Sequence, residues 1–439
     1  MEDYRRIADR IADEITAGRL KPGERLPPQR LFARRRGIAG STAGRVYAEL
    51  VRRGLVVGEV GRGTFVRATP AGAGPALVEP ATEAPVNLEL NYPSAPGQSA
   101  LLAPALAPLQ RPDVLAEALR PAAATGTSAA RRAAADLLAT PAWRPAPDRI
   151  LFTGNARQAV AATLASLVRP GGRVGVEALT YPVVKDIAAR LGITLVPLAT
   201  DEEGPRPESV AAAHRSAPLA ALYLQPTLHN PTSVTTGPER VRRLARTALD
   251  LDIPVVEDRI WSFLADGDPL AAHAPGLTHV VDGLSKRVAP GLTVGFVVVP
   301  QERVGAVAEA VRSGGWSAGS FALEAAVRWL ADGTVRRLVA AKRADAARRQ
   351  GILREELRAF AVRSDPHAYF AWWELPAPWR ADTFTAAAAA HGIAVTPGPA
   401  FAVDPNRTPD AVRLGLASVP ESDLRRALRT LAGVVRGTP

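Results

Sequence analysis

The sequence predicts an α/β protein built on a mostly parallel sheet with helices on both faces, preceded by a small winged helix-turn-helix head. Three observations carry this expectation. From about Asn87 onward short apolar runs alternate with Ala-rich helical stretches. The first 67 residues hold three helix-period segments and two short strand-like runs, and a Pro-rich stretch separates the two patterns. At 439 residues the chain is long enough for two or three domains.

Composition narrows the chemistry. The absence of cysteine excludes disulfides, thiolate catalysis and Cys-ligated metal, and the six scattered histidines show no zinc-type spacing, so no metal site is expected. Met1 to Arg6 mixes acids and bases where a secretory leader needs a basic end and an apolar run. No stretch approaches the ~18 apolar residues of a membrane span. A soluble, cytoplasmic protein without a membrane partner is expected. Residues 1–67 hold 15 basic against eight acidic residues, so +7 of the chain's +11 lies in the head. Arginine bias explains Arg in place of Lys but not this regional excess, which suits a polyanion partner.

In the head, Ile7, Ile11 and Ile15 recur at helical spacing from Asp3 to Ala17, with Gly18 as a left-handed cap. Pro27 and Pro28 open a second helix through Leu31, Phe32 and Ala33 that ends at Gly37, and Ser41 or Thr42 caps a third, with Val46 and Leu50 on its apolar face. The runs 55–57 and 64–66, joined across Gly61-Arg62-Gly63, read as a hairpin. In a winged helix the third helix enters the major groove, while arginines and the hairpin tip meet phosphates or the minor groove.

Residues 68–86, "ATPAGAGPALVEPATEAPV", read as a tether, because prolines at four positions favour extended, semi-rigid chain. Beyond it, buried-looking strands are expected at 150–152, 174–176, 195–197, 220–224, 255–257, 280–282 and 294–299. Ligands in such sheets lie beyond the strand ends. Four clusters occupy those ends. Thr153-Gly154-Asn155-Ala156 opens a helix whose amides suit a phosphate. His229-Asn230 places an amide donor, Glu257-Asp258 a carboxylate, and Ser285-Lys286 a primary amine. Lys286 is one of four lysines among 54 basic residues. An amine condenses with an aldehyde and a guanidinium does not, although a solvated or paired lysine accounts for this position equally well.

The run "IADEITAGRLKPGERLPPQRLFARRRGIAGSTAGRVYAELVRRGLVVGEVGRGTFV" resembles the GntR-type winged helix-turn-helix along nearly its full length. The resemblance implies a double-stranded DNA operator as partner and puts Arg30, Thr42, Arg45, Arg62 and Gly63 at the DNA. Where that family usually has Ser-Arg at the start of the recognition helix, this chain has Ala39-Gly40. The order of the strand-end clusters resembles the fold type I aminotransferase-like proteins that use pyridoxal phosphate. Joined to the head, the whole chain is similar to MocR-type regulators. The organisation implied is a head over 1–67, a linker over 68–86 and an aminotransferase-like domain over 87–439, with a small subdomain from about 300.

Carried over by resemblance, Lys286 is the lysine that bonds the cofactor aldehyde, Ser285 precedes it, Asp258 faces the pyridine nitrogen, Asn230 the ring hydroxyl, and Tyr181 stacks on the ring. Asn155, Ala156 and Arg157 form the phosphate turn, and Arg413 grips a carboxylate of a substrate or effector. A head-to-tail homodimer is implied in the same way. Two positions depart: Ile260 stands where the family has a tyrosine that bonds the ring oxygen, and Thr293 where it has a phosphate-binding arginine. Arg157 and Arg287 are then the candidate replacement cations.

Three readings follow. The first is a DNA-binding transcriptional regulator whose aminotransferase-like domain senses pyridoxal phosphate or an amino, carboxylate-bearing effector, with that domain used for sensing rather than catalysis. The second is an active aminotransferase with a DNA-binding appendage. The third is a regulator whose effector domain no longer binds the cofactor.

Overall fold

The computed structural model describes residues 4–16, 19–20, 23–59, 63–66, 84–292 and 294–437. The expected tether over 68–83, the Gly18 cap, Arg62 and Thr293 lie outside them.

The head is three helices and a small sheet: α1 (Tyr4–Thr16), β1 (Arg25–Leu26), α2 (Gln29–Arg36), α3 (Gly40–Arg52), β2 (Val56–Glu59) and β3 (Gly63–Val66). Ile7, Ala8 and Ile11 of α1 pack against Ala43, Val46, Tyr47 and Leu50 of α3, with Phe32, Val56 and Val66 completing the core. Phe32 meets the Tyr47 ring edge-on at 5.3 Å. Arg25 and Leu26 pair antiparallel with β3, adding a third strand that periodicity misses because two residues show no period. α2 ends at Gly37 in the left-handed conformation (φ 62°), as expected. The cap expected from Ser41 or Thr42 is a correction. α3 starts at Gly40, ahead of both, and its N-cap, Ala39, makes no side-chain hydrogen bond.

All seven expected strands form one seven-stranded sheet, in the spatial order Ile150–Thr153, Gly295–Val298, Thr278–Gly283, Val255–Asp258, Ala221–Leu224, Arg173–Glu177, Thr194–Leu198. Neighbours pair in parallel except Gly295–Val298, which is antiparallel to both of its neighbours. One core layer joins Phe152, Val280, Leu284 and Phe296 to Leu323, Ala326 and Trp329. Another joins Leu151, Val176, Tyr223 and Val256 to Ala159, Leu164, Val307 and Val311. The sheet is therefore covered on both faces.

The smaller unit departs from expectation at both ends. Helices Val304–Ser313 and Ser320–Ala331 pack on the large sheet, so the small core begins in the long helix Thr334–Glu356, at Ile352, rather than at about 300. Val86, assigned to the tether, is instead in a strand that pairs in parallel with Ile393–Ala394, and Val86 and Leu88 are buried in the small core with Trp373, Phe384 and Leu428. The extended preference that Pro85 gives its surroundings suits a strand, and burial of these apolar side chains fixes that strand to the small core. A four-stranded antiparallel sheet carries this unit, and its strand Ala411–Gly415 bears Arg413. The head meets the small unit where the Arg380 guanidinium lies 4.2 Å from the Phe65 ring centroid.

Among the described residues no helix is long and apolar enough to cross a membrane.

Candidate functional site

Strand ends of the large sheet and one strand of the small sheet enclose a cavity of about 350 Å³. Its lining includes Asn155, Ala156, Arg157, Tyr181, Asn230, Asp258, Ser285, Lys286 and Arg413. These nine positions, some more than 200 residues apart, are brought to this one space.

Asp258 ends its strand and is 5% exposed. Its Oδ2 accepts hydrogen bonds from the Tyr223 hydroxyl (2.7 Å) and Gln225 Nε2 (2.9 Å), and its Oδ1 accepts from the Ile260 amide (3.0 Å). Burial raises its pKa above the usual carboxylate range, the bonds from Tyr223, Ile260 and Gln225 opposing that shift. Behind it lies Glu177, at the end of its own strand, pushed up to about 7 by burial. Glu177 accepts from the Gln225 amide at 2.8 Å.

Asn230 sits in a loop bent by two non-glycine residues with positive φ, Leu228 (49°) and Ser233 (61°). Two hydrogen bonds hold that bend: the Leu228 amide donates to Thr235 Oγ1 (3.1 Å) and Ser233 Oγ to the Phe370 carbonyl (3.0 Å). The Asn230 amide donates to Gln225 Oε1 at 3.3 Å, its Oδ1 lies 3.5 Å from Arg413 Nη1, and its Nδ2 has no partner among the described residues.

Asn155 caps the helix Ala156–Leu167, its side chain accepting from the Gln158 amide at 3.0 Å, so first-turn amides of Ala156 and Arg157 are left without intrahelical acceptors. A Cβ on Gly295 would lie 2.4 Å from the Asn155 carbonyl carbon, which fixes glycine beneath this turn. Arg157 is exposed at the cavity wall. Arg287, the other candidate cation, is a correction. It is buried, ion-paired with Asp282 and 3.3 Å from Ser262 Oγ, and is absent from the cavity lining.

Lys286 lies on the short helix Leu284–Arg287 that follows its strand directly. Its Nζ donates to the Asn91 carbonyl (2.6 Å) and lies 4.5 Å from the Tyr92 ring centroid and 5.2 Å from that of Trp261. Burial, then Arg157, Arg413 and Lys342, lower this amine to about 7. Arg413, 7% exposed, donates to the Glu89 carbonyl and to Thr396 Oγ1 (3.1 Å), while its buried Nε has no partner. Burial lowers its pKa to about 10. Ile260 lines the cavity with an apolar side chain.

Sequence reasoning missed Glu89, Asn91, Tyr92, Gln225 and Trp261, all in the lining. Gln225 carried a signal, being polar and directly after a buried strand. Asn91 and Tyr92 carried none. A second lysine is buried as well: Lys342 is 0% exposed.

In the head, Arg30 and Arg45 are exposed and Thr42 is half-buried. Gly63 has φ 123°, a conformation that favours glycine.

Residues 113–431 match the aminotransferase class I and II family, and residues 3–66 the gntR family of bacterial regulatory proteins. The chain belongs to the aminotransferase class I and II family. Its GntR head makes it a MocR-type member, with the two-part organisation of the HTH-type transcriptional regulators. YdeF of Bacillus subtilis, an uncharacterized HTH-type transcriptional regulator, is 27% identical over 94% of this chain and 90% of its own length. The HTH-type pyridoxine biosynthesis transcriptional regulator PdxR of Corynebacterium glutamicum is 25% identical over 75% of this chain and 73% of its own. The fold of the MocR-type body is shared with an archaeal alanine:glyoxylate aminotransferase (TM-score 0.73, 20% identity, 80% of this chain and 90% of that one). It is shared also with Thermus thermophilus aspartate aminotransferase (TM-score 0.70, 22% identity, 89% and 95%).

Proposed function

We propose that this protein is a transcriptional regulator that binds an operator through its GntR head and senses pyridoxal phosphate, or an amino, carboxylate-bearing effector together with it, in the cavity around Lys286. The observation that carries the proposal is the charge and donor set of one enclosed space. The guanidiniums of Arg157 and Arg413 and the amine of Lys286 share it with the buried carboxylate of Asp258 and with Glu89, which bears on Arg413. An anionic ligand with a phosphate at one end and a carboxylate at the other finds a guanidinium for each, Arg157 and Arg413.

Pyridoxal phosphate, when bound, supplies an aldehyde that condenses with a primary amine and an electron-withdrawing ring. The residues present fit it. Lys286, lowered to about 7, holds its amine substantially neutral and nucleophilic at physiological pH. Asp258 presents a carboxylate whose burial is costly until a cation pairs with it. Asn230 Nδ2 is a free donor, and Tyr181 lines the wall. The phosphate end falls to the amides of Ala156 and Arg157, the Arg157 side chain and Ser285. Ile260 supplies no hydroxyl, so Asn230 would be left as the donor to the ring oxygen.

Arg413 orients a carboxylate. Its strand belongs to the small unit, which also touches β3 of the head through Arg380 and Phe65, giving a route from effector to head. We place the resident cofactor in a homodimer with paired chains head to tail, matching two operator half-sites.

The decisive experiment adds pyridoxal phosphate to the purified full chain and records its visible absorbance before and after borohydride, followed by peptide mass spectrometry. A band fixed by reduction on the Lys286 peptide is expected. No band and no added mass would leave the regulator without this cofactor. In the head, Arg45→Ala is expected to weaken operator binding about tenfold and to flatten the logarithmic salt dependence by about one unit, measured by fluorescence anisotropy at several salt concentrations.

A further inference from the structure

We propose that Lys342 is a positioning residue for Lys286: a second buried amine that clamps the short helix bearing Lys286 and ties it to the strand bearing Arg413. The inference rests on Lys286 being the reactive amine, but its test needs no cofactor.

Lys342 lies in the long helix Thr334–Glu356 and is 0% exposed. Its Nζ donates to the carbonyls of Lys286 (3.0 Å) and Val288 (2.7 Å), at the C-terminal end of the helix Leu284–Arg287. A helix of four residues has almost no cooperative stability, and its last carbonyls have no intrahelical partners. Its geometry is therefore set by outside bonds, and Lys342 makes two of them. In a chain that writes 50 of its 54 basic residues as arginine, the choice of lysine here has a physical reason. A compact amine reaches two converging carbonyls in a closed space, where the broader planar fork of arginine does not.

The clamp continues toward the small unit. Asp345, one turn along the helix and 3% exposed, is the counter-charge to Lys342. Its Oδ2 accepts from Arg349 Nε (2.8 Å) and lies 2.9 Å from the Tyr369 hydroxyl, which is also 2.7 Å from the Lys342 carbonyl. Arg349 Nη1 donates to the carbonyls of Leu416 and Val419, both at 2.6 Å. Leu416 follows the strand Ala411–Gly415 and donates its amide to the Tyr369 carbonyl at 2.7 Å. A continuous set of buried polar contacts thus runs from the Lys286 carbonyl to a point three residues from Arg413. Movement of that strand when Arg413 takes a carboxylate reaches the main chain of the lysine at the other end of the cavity.

Competitive acetylation of the full-length protein, with each lysine followed by mass spectrometry from about pH 6 to about pH 10, tests this. Arg157, Arg413 and Lys342 bear on the Lys286 amine from the phosphate turn, the small sheet and the long helix; Asp258 and Tyr181 line the same cavity, and Asp345 faces Lys342. Lys342→Met removes one of these cations and frees the helix. The labelling midpoint of Lys286 should rise by about half a pH unit or more, with that of Lys185 unchanged. Asp345→Asn, which withdraws the counter-charge and makes Lys342 less often protonated, should move the Lys286 midpoint in the same direction, and it carries the test if Lys342→Met does not fold. An unchanged Lys286 midpoint in a folded variant overturns the proposal. A wild-type protein that takes up no pyridoxal phosphate leaves the experiment intact, since no cofactor enters it.

Discussion

Replacing Arg413 with alanine is expected to weaken binding of a carboxylate-bearing effector by on the order of 10²-fold. Two charge-assisted hydrogen bonds at about 1.5 kcal/mol each account for that factor. The guanidinium is prepared for the task. Its Nη2 is committed to Glu89 and Thr396, while the buried Nε is unpartnered and Nη1 has only the 3.5 Å contact to Asn230. The unpartnered Nε and loosely held Nη1 remain for the ligand. Arg413→Lys keeps a positive charge but loses the fork and should recover only part of the affinity. The measurement is the effector concentration that half-shifts operator affinity, followed by anisotropy. An unchanged midpoint in the alanine variant would remove Arg413 from effector recognition.

Asp258→Ala is expected to destabilise the ligand-free protein by about 3 kcal/mol, read from urea unfolding. Three donors lose their acceptor: the Tyr223 hydroxyl, the Gln225 amide group and the Ile260 N–H. An orphaned buried donor costs about 1 to 3 kcal/mol, and release of the buried charge offsets part of the total. pH distinguishes the two contributions. The Asp258 pKa is raised on folding, so its protonated form is favoured, and its contribution is greatest below the unfolded value of ~3.9 and declines as pH rises through the folded value. The wild-type advantage should therefore be larger at the acidic end of that window than at neutral pH. A variant as stable as wild type throughout would mean that the hydrogen bonds only compensate the cost of burying the carboxylate.

How much could be read in advance differed by element. The seven sheet strands were legible because strands covered on both faces need continuous apolar runs such as Val255-Val256 and Val280-Val281, which stand out against Ala-rich helices. Asn230, Asp258 and Lys286 were legible because each follows such a run, where a polar residue has little packing reason to be. Lys342 was hidden by its neighbours. "AAKRADAARR" has the composition of a solvated helix face, yet Lys342, Asp345 and Arg349 all point inward, Arg349 pairing with Asp345 while Lys342 bonds the carbonyls of Lys286 and Val288.

The sequence by itself determined the two-part plan, the strand positions, the excess charge of the head and the residues at the strand ends, because each is set by local period, composition or spacing. Only the tertiary structure decided that Asn91 and Tyr92 close over Lys286, that Arg287 is consumed by Asp282 while Arg157 stays open, that Val86 belongs to the small core, and that Lys342 stands beneath the reactive helix. These depend on segments tens to hundreds of residues apart meeting in space. A side chain's partner, and with it its charge state and chemistry, is set by that meeting and leaves no mark on local periodicity.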